Sequence, residues 1–155
     1  MATKRYDKQA LFDDYLLALW RGLEHIESTF GVEGICRQVF GGEAPAGDPE
    51  AADAISGISD AARAHVEASG AWRVLSSLYD YAFEGLLRHG DHPEDIVLLG
   101  NEVLDALTTE HSSPSEEWSE LVAMGDARFG IHDGYPVTPE KLALLANVDI
   151  RTVRN

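Results

Sequence analysis

The sequence predicts an all-α protein: a bundle of five or six helices with two further short helices at its C-terminal end. Three observations predict it. Apolar residues recur at three- and four-residue steps through long stretches of the chain, the spacing that puts them on one helical face. Helix start and stop signals bracket those stretches. No run alternates apolar with polar residues, and the β-branched residues sit at helical spacing.

The elements follow in order. Residues 7–30 form the clearest helix, with Phe12, Tyr15, Leu16, Leu19, Leu23, Ile26 and Phe30 on one stripe and Leu11, Leu17 and Trp20 widening it. Gly31 suits its end. Residues 32–40 read as a short helix stopped by Gly41-Gly42, and a loop of small residues follows. Asp48-Pro49-Glu50 supplies a cap, a first-turn proline and an acid, so a helix is expected near 49–68, weakened in its middle by Gly57. A stronger helix is expected over 71–88, carried by Trp72, Leu75, Leu78, Tyr79, Ala82, Phe83 and Leu86. His89-Gly90-Asp91-His92 is a turn, and Pro93-Glu94-Asp95 opens a helix running to about Glu110. Ser113-Pro114-Ser115 starts another, with Trp118, Leu121, Val122 and Met124 behind it. Gly130 through Tyr135 reads as a loop. The chain is expected to divide at the Asp133-Gly134-Tyr135-Pro136 turn, into an acidic bundle over 1–134 and a terminal segment over 135–155.

At 155 residues and 45% hydrophobic, the chain is large enough to bury a core. No run approaches the roughly 18 apolar residues of a membrane span. The basic N-terminus is followed by no apolar stretch of signal-peptide type. Cys36 is the only cysteine, which excludes an internal disulfide. A cytoplasmic location is the expectation, with Cys36 a small core residue rather than a nucleophile. Residues 1–137 hold 9 basic and 25 acidic side chains, a net −16, whereas residues 138–155 hold three basic and two acidic, a net +1. An acidic body of this kind repels phosphate backbones. Screening beyond roughly 8 Å at physiological salt leaves the terminal segment free to meet them.

Signatures of catalysis are missing. The chain has no phosphate-binding Gly-x-x-x-x-Gly-Lys-Ser/Thr loop, no Gly-x-Gly-x-x-Gly and no Gly-x-Ser-x-Gly elbow. His89 and His92 lie close in sequence to Asp91, Glu94 and Asp95, a set with metal-ligand chemistry. It occupies a turn and a helix cap, however, and the chain lacks the Glu-x-x-His of carboxylate bundles. No cofactor, metal or enzymatic activity is expected. The three tryptophans and Tyr79-Asp80-Tyr81 are at core spacing.

The most telling stretch is Thr138 to Asn155. Thr138 is a good N-cap and Pro139 suits the first helical position. Leu142, Ala143 and Ala146 give one small apolar face, Asn147 and Val148 make a turn, and Thr152-Val153 restart a helix. Helices meeting at a steep angle need a small residue where they touch, which Ala143 supplies. Asn147 is of a residue type that, after glycine, is among the best at tolerating positive φ. Val148 and Val153 fill the corner.

This segment resembles the helix-turn-helix of bacterial and phage transcription regulators, in which Leu-Ala, a Gly-Val turn and a later Val recur at these offsets. It departs from the family in placing Asn147 where Gly is usual. Its second helix is expected to be truncated, continuing past Asn155. The resemblance implies a DNA-binding regulator whose second helix turns Asp149, Ile150, Arg151, Thr152, Arg154 and Asn155 toward the major groove. Arg151 and Arg154 would reach phosphates or guanine edges, Thr152 a phosphate or a thymine methyl, and Asn155 an adenine. Such readers commonly pair about a two-fold axis, so the wide apolar stripe of residues 7–30 is expected to support a homodimer. Two other readings rest on other residues: a protein-interaction module whose acidic surface meets a basic partner, and a metal-binding bundle or enzyme centred on His89 and His92.

Overall fold

The computed structural model describes residues 6–109, 112–147 and 150–154. Among them the fold is all-α, with no strand. The helices are α1 (Lys8–Phe30), α2 (Ile35–Val39), α3 (Asp60–Glu67), α4 (Gly70–Tyr79), α5 (Pro93–Leu107), α6 (Glu116–Asp133), α7 (Pro139–Ala146) and α8 (Ile150–Arg154). A 3-10 turn covers Ala54–Gly57, and a turn of π-helix covers Asp80–Glu84. The chain divides into two compact units, one of Gln9–Arg73 and Leu104–Pro114, the other of residues 1–8, 74–103 and 115–155. The division falls after the first residue of α1, within α4 and within α5.

In the unit of residues 9–73 and 104–114, α1 buries Leu11, Phe12, Tyr15, Leu16, Ala18, Trp20 and Leu23. These lie at the helical steps read from the sequence, while Ile26 and Phe30, expected on the same stripe, are exposed. Phe12, Tyr15 and Trp72 form a ring cluster, with Trp72 centred 4.5 Å from Phe12 and 5.7 Å from Tyr15. Trp20 is fully buried, and its indole N–H donates to Glu24 Oε1 at 2.8 Å. Glu27 accepts from the Cys36 amide at 2.8 Å, which ties the start of α2 to α1. The Arg63 guanidinium lies over the Phe12 ring and pairs with Asp13.

One expected helix of this unit is broken. Instead of a continuous helix near 49–68, the chain makes the 3-10 turn, extends at Ile58 and Ser59, and restarts as α3. Ser59 caps the restart, its hydroxyl accepting from the Ala62 amide at 3.2 Å. The break has a long-range cause. Ala46 N–H donates to Gly57 O at 2.8 Å, and a Cβ on Gly57 would collide with the Ala46 carbonyl oxygen. Close backbone approach therefore overrides the helix propensity of the alanines.

In the other unit, small residues let helices approach closely. A Cβ built on Gly100 of α5 would stand 2.8 Å from Leu78 Cδ2, and one on Gly125 of α6 would stand 3.1 Å from Val97 Cγ2. Leu75, Leu78, Ala82, Leu121 and Ala127 are completely buried. Tyr6 closes one side. Its hydroxyl donates to Glu120 Oε2 at 2.8 Å, and its carbonyl accepts from the Tyr79 hydroxyl at 3.0 Å. Burial, and then Glu120, push the Tyr6 hydroxyl well above its ordinary titration range.

Two helix ends here differ from the sequence reading. The helix expected over 71–88 starts at Gly70, widens into the π-turn and stops at Gly85, whose φ of 74° lies in the left-handed region that favours glycine. The Arg128 guanidinium donates to Ala82 O at 3.2 Å and Phe83 O at 3.5 Å, satisfying carbonyls of this last turn. Arg88, beyond the stop, reaches back to Asp80 and to the Ser76 hydroxyl. Conversely, Gly130 to Asp133, expected in a loop, continue α6. The helix ends at Gly134 with φ 76°, and Tyr135 N–H donates to Gly130 O at 2.8 Å. Gly130 lets Val137 approach closely, since a Cβ there would stand 2.8 Å from Val137 Cγ2. Helix α5 ends at Leu107; Glu110, its expected last residue, lies outside the described residues.

Candidate nucleic-acid interface

Thr138 has φ −71° and ψ 152°, and its side chain accepts from the Lys141 amide, as an N-cap should. Pro139 occupies the first helical position. Ala143 is buried, Leu142 and Leu144 are half-buried, and Ala146 is exposed. Asn147 terminates α7 at φ 53° and ψ 47°, the one described non-glycine residue with positive φ. Its N–H donates to the Ala143 and Leu144 carbonyls, which closes the helix end. The chain is helical again from Ile150 to Arg154.

Lys141 Nζ pairs with Asp126 Oδ2 of α6, and Arg154 pairs with Glu140 of α7. Glu140, fully solvated, has its carboxyl held below the usual range, first by a backbone N–H and then by Arg154. Arg151, Thr152 and Arg154 are exposed on α8, and Val153 is half-buried. Of the six residues singled out for groove contact, Arg151, Thr152 and Arg154 thus share one exposed helical turn. Ile150 opens α8, while Asp149 and Asn155 lie outside the described residues, as does Val148 of the expected turn. What sequence reasoning missed is the engagement of Arg154 by Glu140. The i-to-i+14 separation hides it, and only the reversal at Asn147 brings it about.

The competing sites have less to offer. Among the described residues no group of three or more His, Cys, Asp or Glu side chains stands ready to hold a metal. His89 and His92 are exposed, and His65 lies against Gly41. Cys36 is buried, and its thiol is pushed up to about 11 by burial and then by Glu27 and Glu24, the opposite of what a nucleophile needs. Sequence reasoning also missed a cavity of about 370 Å³ between α5 and α6, lined in part by Leu98 and Phe129. The run Ile96-Val97-Leu98-Leu99 was its signal, since four consecutive apolar residues exceed what one buried stripe accommodates.

Comparison with protein families, curated proteins and solved structures gives no match for this chain. No helix among the described residues is long and apolar enough to cross a membrane.

Proposed function

We propose that the chain is a DNA-binding regulator, with α7 and α8 as its reading element and the acidic helical remainder serving self-association or sensing. The observation that carries this reading is the reversal at Asn147. A buried Ala143 precedes it and the exposed Arg151, Thr152 and Arg154 follow it, the arrangement a groove-reading helix requires. The wide separation of charge supports it too, because residues 138–155 are net positive on a chain of net −15. A fluorescently labelled mixed-sequence duplex tests the reading by anisotropy over a salt series. Binding should weaken steeply with salt, and Arg151→Ala with Arg154→Ala should flatten the slope by roughly two, about 0.9 per lost phosphate contact. Absence of any salt-dependent binding, in this chain and in one extended past Asn155, would defeat it. The acidic surface would then favour the second reading, a module that meets a basic protein partner.

A further inference from the structure

We infer that the cavity between α5 and α6 binds a small amphipathic organic cation, an apolar or aromatic body carrying an ammonium-type charge. At about 370 Å³ it falls within the range of small-molecule sites. Val97, Leu98, Val122 and Phe129 supply apolar wall, and Glu94 and Asp126 supply two carboxylates. Leu98 lines the cavity while remaining 55% exposed, so apolar surface stands uncovered there. Phe129 offers a ring to a cation.

Charge selects the class of ligand. Glu94 stands in no ion pair with any described residue, so its carboxylate is open to a ligand. The net −15 of the chain draws cations toward the site and turns anions away. Asp126 already holds one ammonium group, that of Lys141 on α7, at 2.5 Å. A ligand cation seated against Asp126 competes with Lys141 for it. Occupancy thereby loosens a tether between α6 and α7. That coupling gives the ligand a regulatory consequence only if α7 and α8 read DNA, as proposed above; the site itself does not depend on that reading.

The test titrates the whole chain, without DNA, against thioflavin T, an aromatic monocation, and separately against 1-anilinonaphthalene-8-sulfonate, an aromatic anion of similar size. The cation should bind saturably at one site. Its affinity should fall roughly fivefold in Glu94→Gln, by loss of an exposed charge partner, and by a similar factor in Leu98→Ser. In Lys141→Met it should rise about threefold, because Asp126 is released. Both Glu94 and Leu98 are exposed and Lys141 is half-exposed, so these variants keep their helix content, which circular dichroism checks. Equal affinity for the anion, or cation affinity unchanged across the three variants, would overturn the proposal. A failure to bind DNA would leave a positive cation titration standing, so the two readings fail separately.

Discussion

Both units bury large rings, Phe12, Tyr15, Trp20, Phe40 and Trp72 in that of residues 9–73 and 104–114 and Tyr6, Tyr79, Tyr81 and Trp118 in the other. Among the described residues, however, only the second has helical glycines that meet side chains of a neighbouring helix. In the first, Phe12, Tyr15, Trp20 and Trp72 are buried, and nearly all the apolar residues of α1 up to Leu23 are spent on that interior. In the second, Gly100 and Gly125 bring α5 and α6 against Leu78, yet Leu98, Leu99 and Ile131 stay exposed. Exposed large apolar side chains occur in both, Ile26, Phe30 and Val32 in the first and Leu86, Leu87, Leu98, Leu99, Ile131 and Tyr135 in the second. Glycine contacts set helices close along a line and leave side chains on either flank without cover. The second unit therefore keeps the larger share of apolar surface uncovered.

The largest test removes a ring. Trp20→Ala should cost about 3–5 kcal/mol, because a fully buried indole leaves a cavity the helices cannot collapse around. Urea unfolding measures it, and a loss below about 1 kcal/mol would mean that the rings do not carry this unit. Next, Gly125→Val should cost about 1–3 kcal/mol, since even a bare Cβ there comes within 3.1 Å of Val97 and 3.2 Å of Leu78. Full retention of the melting temperature would refute packing through small residues. At the terminal segment, Asn147→Val should cost about 1–2 kcal/mol, while Asn147→Gly should be neutral or better, because φ of 53° disfavours a β-branched residue. Amide exchange across α7 reports that difference. Smallest is Leu98→Ser, expected within about 0.5 kcal/mol of the parent; a larger loss would show that Leu98 belongs to the core after all.

Much of the fold was legible in the sequence, for a physical reason. The starts of α1, α5 and α7, and the whole face of α4, follow from local spacing and caps, which act over one or two turns. Thr138, Pro139 and Asn147 play the parts their residue types predict. What could not be read depends on distant partners. The break before α3 comes from Ala46 meeting Gly57, and the extension of α6 from Val137 returning over Gly130. A π-turn differs from an α-turn by one residue of register, too little for apolar spacing to reveal. At the candidate site, Arg151 and Thr152 are exposed. The hold of Glu140 on Arg154, and the cavity beside Phe129, arise only once the helices are placed.

That hold has a consequence for any polyanion that approaches α8. Arg154 already has a carboxylate for company, so an incoming phosphate exchanges with Glu140 instead of meeting a bare guanidinium. What Arg154 adds to affinity is then the difference between two solvated pairings, a small quantity. The evicted Glu140 pushes back on the newcomer. Attachment built this way is quick to reverse, and substituting Glu140 is the simplest means of making it last.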